Sequence, residues 1–170
     1  MKLSNSIEML NEDVCFQTKD NRRFRLRAAA IIIEDGCVLF ATNDSEHYYY
    51  SIGGGVHLGE TMENAVLREV YEETGIHYEI DRLAFIQENF FKRDDGMLKG
   101  LSCHEITFFF LMKSKGSQEL NSNSVSHGFK EHMCWLPIDR LSEYEAYPMF
   151  FAEKLKNIPP YPQHILTIQK

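Results

Sequence analysis

No two cysteines in this chain stand close together: Cys15, Cys37, Cys103 and Cys134 are scattered without a CxxC pair. That spacing excludes a paired-thiolate zinc site and a dense disulfide framework, and reduced thiols in a cytoplasm are the simplest expectation. Long apolar runs are missing too. The longest, "AAAIII" and "ITFFFLM", fall far short of the roughly 20 residues that cross a bilayer. The N-terminal stretch "MKLSNSIEMLNED" is interrupted by charges before it reaches signal-peptide length, so a soluble, unexported protein without a membrane partner is expected. Bases are the minority, with 18 Lys and Arg against 25 Asp and Glu and a formal net charge of -7. Like charges repel, so unaided binding to a nucleic acid polymer is excluded, and a phosphate-bearing partner needs a local basic patch or a cation. Internal repeats are absent, and 170 residues suit one domain with a sizeable core, with residues 1–13 and 159–170 as peripheral segments.

What is present begins with strands. "RRFRLRAAAIII" alternates and then turns continuously apolar, as a strand does on entering a core. "EDG" at 34–36 turns the chain into a second strand, "CVLFA". A third strand is expected at 47–52, and two long ones near 78–91 and 102–112, joined by a loop in which Asp95-Gly96 signals a hairpin. Residues 114–126 carry five serines and two asparagines, a composition of a mobile loop. A short strand ending in "MCWLP", helices near 138–144 and 148–156, and a tail detached by "PPYP" complete the chain. This order implies a mixed β-sheet with helices packed on it, an α/β arrangement of the α+β type.

The informative segment is "GGGVHLGETMENAVLREVYEETGI", residues 53–76. A helix is expected over 61–74, with Thr61 as N-cap, Glu63 in the first turn and Gly75 as a left-handed stop. At about 100° per residue, Glu69 and Glu73 fall within about 20° of the apolar Met62 direction, and Glu72 lies at the edge of that face. A solvated helix would place its acids opposite. Two like charges about 4 Å apart repel by roughly 4 kcal/mol at an effective dielectric near 20, so the cluster calls for a neutralising cation. Oxygen-only donors suit Mg²⁺ or Mn²⁺. Pairing of these acids with Arg68 and distant lysines is the plainer alternative.

From Gly54, the spacing continues through Glu60, Arg68-Glu69-Val70, Glu72-Glu73, Gly75 and Ile76. This pattern matches GX5EX7REUXEEXGU, where U is aliphatic, and the chain resembles the Nudix hydrolase family. The resemblance implies an αβα sandwich with a mixed sheet. It also implies divalent-metal-dependent hydrolysis of a nucleoside diphosphate linked to another moiety. Carried onto this chain, Glu69, Glu72 and Glu73 would bind Mg²⁺ or Mn²⁺, with the Gly54 carbonyl as a further ligand. Glu69 is also a candidate base; Arg68 would orient the acids, and Glu60 and Gly75 would support the loop and helix. Family members commonly have proline where Ile52 stands, and a longer or acidic residue where Gly55 and His57 stand. Substrate choice is therefore not transferred.

Residues outside the motif complete the expectations. An additional acid is common in the family, and Glu119, in the expected mobile loop, is the first candidate for a catalytic base, ahead of Glu105 and Glu131. Arg23, Arg25 and Arg27 share one strand face, where Arg25 and Arg27 could meet a substrate phosphate. His57 could touch substrate or stand exposed in its loop. Tyr48, Tyr49, Tyr50, Phe90, Phe91 and Trp135 belong mainly to the core. His127 and His132 have no third partner in register, which argues against zinc. A homodimer is compatible with the apolar tail. A non-catalytic sensor of nucleotide metabolites is the alternative function, although such a module would more often have lost one of the motif glutamates.

Overall fold

The computed structural model describes residues 11–44, 47–92, 98–122, 125–126 and 128–169. The first strands are β1 (Cys15–Gln17), β2 (Arg22–Ile31), β3 (Ile33–Glu34), β4 (Cys37–Asn43), β5 (Tyr49–Ser51) and β6 (Gly53–Gly55). Helix α1 (Met62–Thr74) is followed by the long strands β7 (Ile80–Lys92) and β8 (Ser102–Met112). Then come β9 (Val125–Ser126), β10 (Phe129–Pro137), a 3-10 helix at Ile138–Glu143, β11 (Ala146–Tyr147), α2 (Phe151–Lys154) and β12 (Gln163–Ile168). Both Asp95-Gly96 and His127 lie outside the described residues.

Two sheets form. One runs β1-β2-β8-β7-β12 with β6 also on β2, and the other runs β11-β5-β4-β10-β9 with β3 on β4. The parallel pairs β2–β8 and β12–β7 stand beside antiparallel ones, so the sheets are mixed as expected. Alternation along β2 divides the interior between two cores. Ala28 and Ala30 face Val66 and Val70 of α1, whereas Ala29 and Ile31 face Phe109 and Phe151 of the α2 side. Helices therefore cover both faces of an α+β fold.

Three elements differ from the sequence expectation. The tail is not detached, because β12 pairs in parallel with β7 from Gln163↔Phe85 to Ile168↔Phe90, and Ile165 packs on the second core. The last helix shrinks to Phe151–Lys154, since its first turn is of 3-10 type, with Phe151, Ala152 and Glu153 donating to carbonyls three residues back. Pro159 and Pro160 prevent its continuation. The described part of the serine-rich segment, residues 114–122, is anchored by hydrogen bonds. Glu34, only 2% exposed, accepts hydrogen bonds from the Ser114 hydroxyl (2.7 Å) and the amides of Lys115 (2.6 Å) and Gly116 (3.0 Å). Trp135 Nε1 donates to the Gln118 carbonyl (3.1 Å), and the Asn121 amide donates to Thr74 (2.9 Å) at the end of α1. Composition hid this because the anchor, Glu34, is eighty residues away in sequence.

Burial acts to raise the Glu34 carboxyl, but the Lys115, Ser114 and Gly116 donors outweigh it and hold the group below the ordinary carboxylate range. A depressed folded-state pKa contributes stability that is present above the unfolded value of about 4.3 and is lost as pH falls through the folded one. Glu34→Gln should therefore cost about 2 kcal/mol at pH 7 by urea unfolding, the scale of losing hydrogen bonds to a charged acceptor. The gap from wild type should narrow at pH 3; an unchanged gap refutes the assignment.

Candidate active site

Helix α1 starts and stops as its sequence dictates. Thr61 is extended and its hydroxyl accepts from the Asn64 amide (3.2 Å), while Gly75 adopts φ 70° and donates its amide to the Tyr71 carbonyl (2.8 Å). A left-handed terminal residue of this kind favours glycine. Between these ends the acids divide by burial. Glu73 is 8% exposed and joins Ala65, Val66, Val70 and Thr74 on the buried face. Glu69 is half-buried, and Glu72 turns out to solvent.

Arg68 organises the group. Its Nε and Nη2 donate to Glu60 Oε1 (3.0 Å) and Oε2 (2.9 Å), a bidentate pair. Its Nη2 also donates to the Gly55 carbonyl (2.9 Å), and Nη1 reaches Glu69 (2.6 Å) and Glu72 (3.4 Å). One guanidinium thus ties helix, loop and glycine strand together. Glu60 is also bonded by the His57 amide (3.0 Å). Burial acts to raise Glu60, but Arg68 and that amide prevail and keep it below the usual range. Arg68 itself is raised, by Glu60 first and with Glu69 adding.

The glycine strand presses against the acids. A Cβ on Gly54 would lie 2.5 Å from the Glu69 carboxyl, so a side chain there would require the carboxylate to move away from the strand. The Gly53 amide donates to Glu73 Oε1 (3.0 Å), whereas Glu73 Oε2 is buried and has no hydrogen-bond partner among the described residues. Burial holds the Glu73 carboxyl well above the ordinary range, with the charge of Glu131 the next cause and that of Glu69 adding. Burial likewise raises Glu69, partly offset by Arg68. Both groups are poised to accept positive charge.

The residues outside the helix sort differently from their sequence order. Glu131, 7% exposed on β10, is the acid whose charge bears most on Glu73, and Tyr50 Oη donates to it (2.6 Å). Burial and Glu131 push the Tyr50 phenol upward. Glu119 is exposed, and its amide donates to Ser117 (3.1 Å). Glu105 faces Arg27 (3.7 Å). Arg27 also donates to the Gly53 carbonyl (2.8 Å), and Arg25 reaches Asp13 (3.4 Å). These two arginines are partly buried and already engaged. His57 does not stand exposed: its side chain is 15% accessible and lies between Asp13 (3.7 Å) and Glu60 (3.9 Å). Sequence reasoning missed Tyr50 as a partner of an acid and Asp13 altogether. Neither has a local signal, since Tyr50 and Glu131 meet only across the β4–β5 and β4–β10 pairings.

Among the described residues, no three acidic, histidine or cysteine side chains converge on one metal-sized position. Arg68 lies instead between Glu69 and Glu72. The donor chemistry nevertheless fits a hard divalent cation, because it consists of carboxylate oxygens, one of them buried and unpartnered at Glu73 Oε2, beside a glycine backbone.

Arg68→Ala should destabilise the fold by about 3 kcal/mol, because it leaves the buried Glu60 carboxylate unpaired. Arg68→Lys should recover only part, since one ammonium cannot serve Glu60, Glu69 and the Gly55 carbonyl together. Chemical unfolding of the two variants measures both; equal stability of Arg68→Lys and wild type contradicts the fork geometry.

Comparison with known proteins agrees with this architecture. The model of the NUDIX domain matches residues 23–156. A MutT-like protein of Streptomyces ambofaciens is 29% identical over 136 residues, covering 79% of this chain and 78% of that protein. An RNA pyrophosphohydrolase of Blochmanniella pennsylvanica is 33% identical over 66 residues, covering 38% of this chain and 42% of that protein. The crystal structure of a mutator MutT protein from Bacillus halodurans superposes with a TM-score of 0.63 at 18% identity, covering 85% of this chain and 90% of that one. With the domain model spanning most of its length and the glutamate helix seated on a glycine strand, the chain belongs to the Nudix hydrolase family.

Proposed function

We propose that this Nudix-type pyrophosphohydrolase cleaves the pyrophosphate bond of a small nucleoside diphosphate linked to another moiety, using Mg²⁺ or Mn²⁺ held by Glu69, Glu72 and Glu73 with the Gly54 carbonyl. The observation that carries this is the pair of upward-shifted acids, half-buried Glu69 and buried Glu73, against a glycine strand that comes close to the Glu69 carboxylate at Gly54. Burying carboxylates is costly without a compensating charge, and Arg68 serves only one edge of the cluster. Bound divalent ions supply charge to the phosphoryl oxygens and make a bound water more acidic.

The chain's own groups supply position. Glu69 and Glu73 are aligned by Arg68 and the Gly53 amide. The geometry favours Glu131 over Glu119 as the acid outside the motif, because Glu131 is buried beside Glu73 and oriented by Tyr50, whereas Glu119 is exposed. A carboxylate held in that manner suits removal of a proton from an attacking water. Four free cysteines agree with a cytoplasmic location, and β12, which ends its sheet, offers an edge for pairing two copies. Gel filtration at the monomer mass would remove the dimer from this proposal.

Purified protein incubated with Mg²⁺ or Mn²⁺ and a panel of nucleoside triphosphates, ADP-ribose, nucleotide sugars and dinucleoside polyphosphates should release phosphate or nucleoside monophosphate. Glu72→Gln should lower turnover at least a hundredfold, and Glu131→Gln at least tenfold, while Glu119→Gln changes it less than threefold. A tenfold loss in Glu119→Gln with none in Glu131→Gln would reverse the assignment of the acid. Nucleotide binding without turnover across the whole panel would favour the sensor alternative.

A further inference from the structure

Arg27 lies outside the family motif, on β2, where its Cα pairs with that of Gly55 on β6. Its Nη2 donates to the Gly53 carbonyl (2.8 Å), and its Nη1 lies 3.7 Å from Glu105 of β8. Gly53 is therefore gripped from both sides. Its amide is bound by Glu73 (3.0 Å) and its carbonyl by Arg27, while two residues further on Arg68 binds the Gly55 carbonyl (2.9 Å). Between these fastenings Gly54 pairs with Ala28 of β2 and carries the carbonyl proposed above to face the cation. The groups of Gly53 and Gly55 that point away from β2 are the ones these side chains fix. The charge of Arg27 also acts on Glu69 and Glu73.

We infer that Arg27, backed by Glu105, is a positioning residue that sets the direction of the Gly53–Gly55 backbone for the acid cluster, rather than a phosphate contact. The side chain is 17% exposed and Glu105 is 14% exposed, and the guanidinium is turned toward protein, with Nη2 hydrogen-bonded to Gly53 and Nη1 in ion-pair range of Glu105. The nearest alternative, that Arg27 acts only through its charge, has the opposite consequence for a cation. Removing a positive charge near Glu69 and Glu73 would by itself tighten cation binding. Loosening the glycine strand would weaken it. This inference rests on the proposed metal-dependent hydrolysis in its kinetic arm alone, because the backbone arm can be read in metal-free protein.

The test uses the full chain and its variants Arg27→Met, Arg27→Lys and Glu105→Gln, with Arg23→Met as a control that removes the same charge from the same strand. Hydrogen exchange of the peptide containing residues 53–55 in metal-free protein should speed up at least tenfold in Arg27→Met and less in Glu105→Gln, and should be unchanged in Arg23→Met. Mn²⁺ affinity, read by the paramagnetic signal of the free ion, should fall at least threefold in Arg27→Met. With the substrate found in the panel, kcat should drop at least tenfold while KM stays within threefold, and Arg27→Lys should recover part of each change. Unchanged exchange at 53–55 overturns the positioning role whatever the activity. Tighter Mn²⁺ binding assigns Arg27 to its charge, and a tenfold rise in KM with intact kcat assigns it to the substrate. If Arg27→Met does not fold, Arg27→Lys carries the same three readouts, and wild-type exchange rates and Mn²⁺ affinity in it overturn the inference. Absence of turnover in wild type with the expected exchange pattern would refute the hydrolysis and leave the positioning intact.

Discussion

A single desolvated ion pair sets the geometry on which the remainder of the site depends. Arg68 and Glu60 face each other bidentately, with the Glu60 side chain only 2% accessible. Such a pair contributes little net stability by itself, because removing both charges from water costs about as much as their attraction returns. Its consequence is directional. A planar fork with fixed donors cannot satisfy Glu60, Glu69 and the Gly55 carbonyl unless α1 sits at one height and one rotation over the glycine strand. The apolar residues Ala65, Val66 and Val70 provide the burial energy, and the arginine selects one among the ways that face could have packed.

That division of labour explains the unusual placement of acid on the buried side of α1. Glu73 shares its face with Val66 and Val70, and it is tolerated there because one oxygen is bound by the Gly53 amide. The other oxygen has no hydrogen-bond partner among the described residues. A natural protein rarely leaves a buried carboxylate half satisfied without a use for it. The strain lies in electrostatics rather than in the backbone, since Glu69 and Glu131 add like charge to a group already deprived of water.

Much of this was legible in the sequence, and the boundary of legibility has a physical origin. The helix, its caps and the motif acids occupy consecutive residues, so a period of 3.6 and a few turn residues suffice to place them. Long strands at 80–92 and 102–112 likewise announce themselves by β-branched and aromatic runs. What eluded local patterns depends on register. Tyr50 meets Glu131 because both flank β4, and Arg27 meets Glu105 because β2 and β8 run in parallel at a particular offset. Composition misled in two places: a serine-rich stretch was tied down by one distant glutamate, and a tail after two prolines returned to join the sheet edge.

The placement of Glu131 on β10 has a consequence for how this fold tolerates change in length. Its neighbours along the strand point alternately to opposite sides, and β10 is registered to β4 from Glu131↔Asn43 to Pro137↔Cys37. One residue gained or lost ahead of β9 is absorbed before the β9–β10 and β10–β4 pairings begin. The same residue gained between 132 and 137 would invert the phase of everything upstream, turning Glu131 away from Glu73 and presenting a neighbour in its place. The site thus inherits from its sheet a parity rule: a length change ahead of β9 leaves the phase of Glu131 intact, whereas a single residue gained within β10 after it inverts that phase.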